Sequence, residues 1–460
     1  MIVTDEIRPR ARPNASAGDR AWPYYPELLA KPVPRYTSYP TAAEFGPDFS
    51  GDALAAALDM VGELEPISLY LHIPYCQEIC WYCGCNTGAA NRSTRLAGYL
   101  AALKRESELV GARLGGRGRV RRVAFGGGSP NAISPQQFAE LVATVEMAFK
   151  LDNPVLSVEV DPRGFDADWA RTLGKANVSR VSLGVQTFAP RLQAAIGRVQ
   201  PIDAIRETVS LLRDAGAASI NFDLMYGLPG QSDADLTDTL ERALELSPDR
   251  LAVFGYAHVP HLIPRQRRID GSALPDGSSR FHQAELAYLF LTQAGYEPIG
   301  FDHFARPKDA LAIAARRGGL RRNFQGFTED DAKVLIGLGA SAISEFPDRL
   351  LQNEKNAGRY RELISEEAFA VARGVWRNEE DRQRGAIIAA LLTQGNAVLP
   401  GGLDLVSELA ALAPFEDAGL LARGERTLRL QPAALPYARS IAAIFDRYRT
   451  DSAACFSAAV

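Results

Sequence analysis

The sequence has 460 residues, of which 47% are hydrophobic and 23% are charged, and its formal net charge is −4. This length allows a large buried core and more than one domain. The acidic balance argues against nonspecific binding to nucleic acid. No run approaches the ~20 apolar residues of a membrane span, and the N-terminus lacks the apolar core of a signal peptide. We therefore expect a cytoplasmic monomer with neither nucleic acid nor a membrane as partner.

Residues 1–50 predict an extended N-terminal arm, because prolines recur throughout and prevent long helices. These prolines are Pro9, Pro13, Pro23, Pro26, Pro32, Pro34 and Pro40. Aromatic and hydroxyl residues mark the segment Pro34–Thr41 within the arm. Its residues alone predict an ordered surface loop.

From residue 51, helical and strand-like patterns alternate. The predicted strands are 68–73, 120–125, 155–160, 178–185, 219–225 and 251–256. The predicted helices are 51–64, 93–114, 134–150, 166–175, 202–216 and 233–247. This alternation predicts an α/β fold with a parallel sheet. Because a closed barrel needs eight strands, six predict an open three-quarter barrel.

After about residue 355 the alternation is lost. Helical patterns at 358–366, 379–393, 403–413 and 435–449 surround a hairpin-like run at Leu420–Leu430. We expect an arm at 1–50, a catalytic barrel domain with its extension at 51–350, and a mostly helical C-terminal domain at 351–460. Cys455 is predicted to be an isolated reduced thiol.

Four of the five cysteines lie in one loop that follows the apolar run Leu69–Ile73. Their spacing is Cys-x3-Cys-x2-Cys-x-Cys: Cys76, Cys80, Cys83 and Cys85. Three thiolates at this spacing can hold one face of an iron–sulfur cube and leave one iron open. A structural zinc site would need a second Cys or His pair. We predict a cluster on the first three cysteines, while the fourth is either a small loop residue or a functional thiol.

Unusual residues stand at the ends of all six predicted strands. They are the cysteine loop, Gly126–Pro130, Glu159 with Asp161, Gln186, Asp223 with Tyr226–Gly230, and Tyr256–His258. Barrels of this kind build their active sites at the carboxyl ends of the strands. The six positions therefore predict one site on one rim.

Each of these residues suits a ligand. Gly126–Gly128 would let backbone approach a cofactor closely and offer it free N–H groups. Glu159 and Asp223 follow apolar strands, so their carboxylates need a cationic or hydroxyl partner, such as a sulfonium or a ribose. Gln186 could read an adenine edge or a carboxylate, or be a satisfied core amide. Arg198 could hold a carboxylate, or be a solvated surface residue.

Cations lie beside aromatic residues after residue 260. The segments are Arg265–Arg268, Phe301–Lys308, Arg316–Arg317 and Arg321–Thr328. Such patches can bind nucleic acid, but helices separate these clusters. They suit a pocket for a flat polyanionic molecule equally well.

The cysteine spacing after a first barrel strand resembles that of the radical S-adenosylmethionine enzymes. These bind the amino and carboxylate groups of S-adenosylmethionine at the open iron of a 4Fe–4S cluster and cleave it to a 5′-deoxyadenosyl radical. More narrowly, the chain resembles the oxygen-independent coproporphyrinogen III oxidases from about residue 34 to 360. The motifs that carry this resemblance are Pro34–Thr41, His72–Cys76, Cys83–Cys85, Tyr256–His258, Gly300–Pro307 and Arg322–Phe327.

The resemblance implies one cluster and two molecules of S-adenosyl-L-methionine per active site. Cys76, Cys80 and Cys83 match the cluster ligands, and Cys85 is present without being a ligand. Matches to the first S-adenosylmethionine site are Tyr70, Gly126, Glu159 and Ile343, of which Tyr70 and Glu159 are the candidate catalytic residues. Matches to the second are Tyr82, Gly127, Gly128, Gln186, Arg198, Asp223 and Ala257.

The implied reaction converts two propionates of coproporphyrinogen III to vinyl groups and yields protoporphyrinogen IX in haem biosynthesis. Its implied partners are this tetrapyrrole, a flavodoxin- or ferredoxin-like electron donor and an electron acceptor. Two alternatives remain: a haem-binding chaperone of the same superfamily, or another radical enzyme that uses two S-adenosylmethionines. The chaperones lack the Cys85 position and the Tyr36–Pro40 segment, which are present here. Thr87, where the family often has Lys, leaves the second alternative open.

Overall fold

The computed structural model describes residues 21–90 and 93–449 of the chain. The predictions for Pro9, Pro13 and Cys455 lie outside these ranges. Among the described residues, no helix is both long enough and apolar enough to cross a membrane.

The strands of the described ranges are numbered in chain order. They are β1 (Pro66–Ile73), β2 (Tyr75–Cys76), β3 (Gly88–Ala89), β4 (Arg119–Gly127), β5 (Leu151–Val160), β6 (Val178–Gln186), β7 (Ser219–Tyr226), β8 (Arg250–Gly255), β9 (Glu297–Ile299), β10 (His303–Ala305), β11 (Arg321–Asn323), β12 (Gly326–Thr328), β13 (Val334–Leu338), β14 (Ile343–Phe346), β15 (Arg349–Asn353), β16 (Val371–Trp376), β17 (Asn396–Val398), β18 (Leu421–Arg423) and β19 (Thr427–Leu430).

The α-helices are numbered in the same way. They are α1 (Pro26–Leu29), α2 (Gly51–Asp59), α3 (Ser93–Leu114), α4 (Pro135–Ala148), α5 (Ala167–Lys175), α6 (Pro190–Ala195), α7 (Ile202–Asp214), α8 (Asp233–Glu245), α9 (Gly277–Gln293), α10 (Ala310–Arg316), α11 (Ala357–Ser365), α12 (Glu379–Gln394), α13 (Val406–Ala411), α14 (Ala413–Asp417) and α15 (Ala438–Ala442).

Twelve strands form one sheet in the order β16-β15-β14-β13-β1-β4-β5-β6-β7-β8-β10-β9. The seven strands from β13 to β8 in this order run parallel. The strands at both edges pair antiparallel. Since β16 and β9 stay apart as edges in the described chain, the barrel is open, and the predicted α/β open-barrel fold is confirmed.

The six predicted barrel strands are β1 and β4 to β8, and the helices between them are also present. Ser134 and Ser232 cap α4 and α8 with complete capping boxes, in which the N3 side chain returns a hydrogen bond to the cap backbone. The sequence analysis missed β13, which pairs in parallel with β1. A short hairpin of β11 and β12 precedes β13 where a helix would be expected, so the alternating pattern gave no signal there.

The C-terminal part has its own apolar core. Trp22, Val33, Tyr36 and Tyr39 of the arm are buried in that core together with α12 and α15. The helix predicted at 435–449 was wrong as a single element: Pro436 lies in a 3-10 turn, and only α15 is α-helical there. Pro436 explains the break, because proline removes a helical donor and clashes with the preceding turn.

The domain division stays a prediction. The main sheet continues through β15 and β16 beyond residue 350, and the main apolar core includes Tyr360, Ile364 and Val371. We propose that the C-terminal domain begins at α12 and that the described part of the arm packs as one of its layers.

An ionic layer fills the barrel near the amino ends of alternate strands. Glu329 is surrounded by Arg122 of β4, Arg180 of β6 and Arg250 of β8. Its carboxylate oxygens lie 2.9 Å from a nitrogen of Arg122 and 3.9 Å from a nitrogen of Arg250, and they also form a close ion pair with Arg180. Burial opposes the charge of Glu329, but the Arg180, Arg122 and Arg250 guanidiniums outweigh it and lower the pKa of Glu329 to about 2. This layer forms the floor of the barrel lumen.

Replacing Glu329 with Gln should destabilise the fold. The change removes a charge that three partly buried guanidiniums share, and breaking a fully buried ion pair costs about 3–5 kcal/mol, which is the upper bound here. Because the folded-state pKa is below the ordinary glutamate value of about 4.3, the contribution of Glu329 is present above that pH and is lost as the pH falls toward 2. Denaturant unfolding at pH 7 and pH 3 measures both effects.

The matched control is Glu367→Gln. Glu367 pairs with Arg105 at 2.5 Å, but its side chain is 66% exposed. Exposed pairs contribute about 0–1 kcal/mol, so this variant should unfold like the wild type. An E329Q protein with the wild-type unfolding midpoint at pH 7 would contradict the assigned role of the ionic layer.

Candidate active site

The cysteine loop begins where β1 ends and is held at both ends. Cys76 lies in β2, which pairs with β3 on the far side of the loop. In between, the backbone N–H of Trp81 donates to the Ile196 carbonyl at 3.0 Å. Gly197 has a φ of +66°, and a β-carbon there would lie 2.7 Å from the Trp81 ring. Only glycine therefore permits the indole to pack at this position.

Two guanidiniums face the thiol of Cys80. Arg198 donates from Nη1 to Cys80 Sγ at 3.2 Å, and Arg163 donates from Nη2 to the same sulfur at 3.5 Å. Asp161 accepts from both arginines and keeps them in place. These two donors fix the position of the Cys80 sulfur within the loop.

The surroundings of Cys83 favour its thiolate form. The Cys85 backbone N–H donates to Cys83 Sγ at 3.4 Å. Hydrogen bonds from Cys85 outweigh burial and lower the pKa of Cys83 to about 6. Burial raises the pKa of Cys76 to about 11. Cys85 thus has a local function in the described loop, as a hydrogen-bond donor to a neighbouring thiol.

The donor set fits an iron–sulfur cluster. Cys76, Cys80 and Cys83 lie on one short loop, Cys80 Sγ accepts from Arg198, and the pKa of Cys83 is lowered. Among the described residues, no three Cys, His, Asp or Glu side chains converge on a single metal ion. Thiolates are the ligands that hold such clusters, so these three residues would hold it here.

The glycine triplet has a different function from the predicted one. The Gly127 N–H donates to Glu159 Oε2 at 3.1 Å, and the Gly128 N–H donates to the Ile73 carbonyl at 2.9 Å. The prediction of free N–H groups was therefore wrong at these two positions. A β-carbon at Gly126 would lie 2.7 Å from the Glu159 carboxyl, and one at Gly127 would lie 2.4 Å from the His72 ring. Close packing of the protein's own side chains requires these glycines.

Glu159 and Asp223 place two carboxyl groups in the lumen. Burial raises the pKa of Glu159 to about 7, with Asp223 and Cys83 adding to the effect. Burial also raises the pKa of Asp223, although Ser182 and Asn221 donate to it at 3.0 and 2.9 Å. Buried carboxyls with raised pKa values are typical of ligand sites. A cationic sulfonium or ribose hydroxyls would satisfy them.

Tyr70 lies on β1 within electrostatic range of Glu159. Its hydroxyl and His72 Nδ1 are 3.1 Å apart, and its ring packs edge-on against Phe324 at 4.5 Å. Ile343 begins β14, and its backbone lies against Gly337, which pairs with Tyr70. The structure therefore brings Ile343 to the strand beside Tyr70, and Tyr70 into electrostatic range of Glu159.

Gln186 and Arg198 both approach Gly184 of β6, the strand that pairs with the one carrying Glu159. Arg198 is only 6% exposed and donates to the Gly184 carbonyl at 2.6 Å from Nη2, so the alternative of a solvated arginine was wrong. Gln186 is buried with a φ of +67°. Left-handed backbone is uncommon for a non-glycine residue and is frequent at functional sites.

Tyr82 and Ala257 are joined by a residue that the sequence analysis missed. Gln266 Nε2 donates to both of their carbonyls, at 2.9 and 3.0 Å, and its own side chain is buried. Gln266 lies between arginines that predict a basic patch, so its sequence context carried no signal for this contact.

A cavity of about 320 Å³ extends from the ionic layer at the floor of the barrel to the carboxyl ends of the strands. Ser68, Arg122, Arg180 and Arg250 line its lower part, and Glu159, Asp223, Phe254, His303 and Phe327 line its upper part. Ligand pockets in proteins are commonly about 300–1,000 Å³. This lumen is therefore large enough for a cofactor or a substrate.

Residues 70–243 match the family model of the Radical SAM superfamily. That range contains the cysteine loop, the glycine triplet, both lumen carboxylates and Arg198. The fold and the site thus define a radical S-adenosylmethionine protein, and its cofactors are a 4Fe–4S cluster and S-adenosyl-L-methionine.

Curated relatives narrow this class. An oxygen-independent coproporphyrinogen III oxidase of Bradyrhizobium diazoefficiens is 45% identical over 368 residues, which cover 80% of this chain and 82% of the relative. One of Cereibacter sphaeroides is 37% identical over 437 residues, covering 92% and 95%. The chain belongs to the family of oxygen-independent coproporphyrinogen III oxidases.

A solved structure agrees with this assignment. The coproporphyrinogen III oxidase of Escherichia coli, described as a radical SAM enzyme, is 34% identical to this chain and superposes with a TM-score of 0.87. The match covers 94% of this chain and 100% of the solved one. The likeness therefore extends beyond the barrel into the arm and the C-terminal part.

The cysteines should separate into two groups on substitution. Cys76→Ala, Cys80→Ala and Cys83→Ala should each lose the visible absorbance and iron of the reconstituted cluster, because each removes a thiolate ligand. Cys85→Ala removes only a hydrogen-bond donor and should retain both. Iron and sulfide analysis, absorbance and anaerobic cleavage of S-adenosylmethionine are the measurements. A cluster that survives Cys83→Ala but not Cys85→Ala would reverse the ligand assignment.

Proposed function

We propose that this protein catalyses the oxygen-independent oxidative decarboxylation of two propionate side chains of coproporphyrinogen III, yielding protoporphyrinogen IX in haem biosynthesis. The observation that carries the proposal is the juxtaposition of a three-thiol loop with a carboxylate-lined lumen in a chain of this family. We also propose that it works as a cytoplasmic monomer with a flavodoxin- or ferredoxin-like electron donor and a separate electron acceptor.

We propose two S-adenosylmethionine sites on the rim. The first uses Tyr70, Gly126, Glu159 and Ile343, and the second uses Tyr82, Gly127, Gly128, Gln186, Arg198, Asp223 and Ala257. The two glycines of the second group would contribute backbone surface and carbonyls, since their N–H groups already bond within the protein. This division is supported by Glu159 of β5 and Asp223 of β7, one from each group, which line the same lumen.

When bound, the cluster and S-adenosylmethionine supply hydrogen-atom abstraction by a primary carbon radical. For each propionate, one β-hydrogen atom leaves, the bond to the carboxyl carbon breaks, CO2 departs, a vinyl double bond forms and one electron passes to the acceptor. The chain's own residues orient and shield this chemistry. Arg198 holds Cys80 in place, Glu159 and Asp223 neutralise a cationic ligand, and Phe254 and Phe327 keep the upper lumen apolar.

Tyr70 and Glu159 are the proposed catalytic residues, because Glu159 lines the lumen and Tyr70 lies within electrostatic range of it. Burial raises the pKa of Glu159 to about 7. A cation beside it would favour the carboxylate over the acid. Binding of a sulfonium ligand should therefore release a proton near neutral pH.

An anaerobic assay tests the proposed function. The protein is reconstituted with iron and sulfide and given dithionite, S-adenosylmethionine and coproporphyrinogen III, and the porphyrins and nucleosides are separated by chromatography. We expect protoporphyrin after oxidation, together with 5′-deoxyadenosine, and neither from Cys80→Ala. Deoxyadenosine without a vinyl product would indicate another radical enzyme. Neither product, from a protein with an intact cluster and tight haem binding, would indicate the chaperone.

A further inference from the structure

A small cavity beside the rim is lined by three arginines from segments that are distant in sequence. Arg35 comes from the arm, Arg280 from α9 and Arg439 from α15, and Asp302 lies between β9 and β10. We call this the arginine cavity. Its volume is about 50 Å³. Tyr226 and Gly255, at the carboxyl ends of β7 and β8, also line it, so it adjoins the predicted active site.

Among the described side chains that line this cavity, arginines outnumber carboxylates. Asp302 is the acidic residue among the described side chains that line it, and its carboxylate already accepts from His303 Nδ1 at 2.6 Å. Arg35 approaches Asp302 only to 3.8 Å. Burial opposes ionisation, but His303 and the Arg322 and Arg35 guanidiniums outweigh it and lower the pKa of Asp302 to about 2. One carboxylate therefore faces several cations.

Arg439 has donors that the described protein does not use. Its residue is 8% exposed, and its Nη1 atom is buried without a hydrogen-bond partner in the described ranges. The guanidinium packs over the Phe301 ring at 5.4 Å. Burial lowers its pKa to about 10, and Arg35 and Arg322 repel its charge. A buried guanidinium without a partner destabilises a fold. Binding of an anion to it would therefore stabilise the folded protein.

Arg322 repeats this pattern next to the cavity. Its Nη1 is also buried and unpartnered within the described chain. It packs over the rings of Phe301 and Phe327, at 4.8 and 4.5 Å, and its Nε donates to the Arg35 carbonyl at 3.1 Å. Two neighbouring guanidiniums with unmet donors point to a carboxylate, which can accept from both.

Two aromatic rings connect the cavity with the barrel lumen. Arg35 packs over Phe254 at 5.1 Å, and Arg322 packs over Phe327. Both rings also line the lumen that contains Glu159 and Asp223. An extended ligand in the lumen can therefore reach the arginines past the edges of these rings.

The size of the cavity limits its occupant. About 50 Å³ is far below the roughly 300–1,000 Å³ of whole-ligand pockets, yet it exceeds the space for one water. We propose that the arginine cavity binds one propionate carboxylate of the tetrapyrrole when the substrate is bound at the active site. This inference rests on the proposed function and assigns anchoring to Arg439 and Arg35, with Arg322 beside them.

The test uses Arg439→Met in the reconstituted holoenzyme under anaerobic conditions. Substrate Kd is obtained from the dependence of the thermal unfolding midpoint on coproporphyrinogen III concentration, and KM from the vinyl-product assay. Losing a charge-assisted contact should raise both about 10- to 100-fold. The midpoint without ligand should rise, because an unpaired buried charge is removed. An unchanged Kd with a lowered midpoint would assign Arg439 a structural role and overturn the inference.

Arg206→Met is the matched control. Arg206 lies on α7, its side chain is 53% exposed, and it pairs with Asp203 in the same helix. The Arg206→Met variant should have the Kd, the KM and the thermal unfolding midpoint of the wild type. If Arg439→Met does not fold, Arg35→Met replaces it with the same expected rise in Kd. A wild-type Kd in that variant would overturn the inference.

Two further ligands identify the source of the carboxylate. The tetramethyl ester of coproporphyrinogen III should bind wild type and Arg439→Met equally, because it has no carboxylate to anchor. Formate reports a site for free small anions. If formate stabilises only the wild type while both proteins share one coproporphyrinogen Kd, the propionate assignment is overturned.

Binding and turnover of coproporphyrinogen III by the wild type separate the arginine cavity from the proposed function. A wild type that converts coproporphyrinogen III, with a KM and Kd that Arg439→Met leaves unchanged, overturns the arginine cavity alone. A wild type that neither binds nor converts coproporphyrinogen III overturns both.

Discussion

The site depends on one buried guanidinium, that of Arg198. It joins the cysteine loop to the barrel, since it donates to Cys80 Sγ, to the Gly184 carbonyl of β6 and to Asp161 after β5. Burial alone would disfavour a charge there, but Asp161 supplies a paired carboxylate and Cys80 a potential thiolate. Without Arg198, the loop would keep its contacts with Arg163 and Gln266 but lose the guanidinium that joins Cys80 to β6.

The polar groups of the barrel are arranged in layers. At the floor, three arginines enclose Glu329, and the charges there satisfy one another. Higher up, Glu159 and Asp223 have neutral donors as direct partners, and both have raised pKa values. The charges of the floor are therefore paired within the protein, although Arg250 Nη2 and Glu329 Oε2 have no hydrogen-bond partner in the described chain. The upper carboxylates, in contrast, are stabilised best by a cation. This difference explains why a ligand would bind near the rim.

The sequence predicted those parts that depend on local patterns. The cysteine spacing, the six barrel strands and the capping serines each follow from neighbouring residues, and the rim positions follow from parallel strand order. What it missed depends on contacts between distant segments. Gln266 gave no signal because its two partners are carbonyls, which every residue has. Gly126 and Gly127 indicated a close approach, but only the fold shows that Glu159 and His72 are what approach them.

The arm and the C-terminal domain both contribute arginines to the arginine cavity. Trp22, Tyr36 and Tyr39 are buried in the same apolar core as α12 and α15, and this packing sets Arg35 opposite Arg439. Strands β7 and β8 contribute Tyr226, Val253 and Gly255 to that wall, and β10 contributes Phe304. Cofactor binding and substrate anchoring would then belong to different parts of the fold. A barrel shared across a superfamily can keep its radical chemistry, while the segments packed around it determine which carboxylate-bearing molecule reaches it.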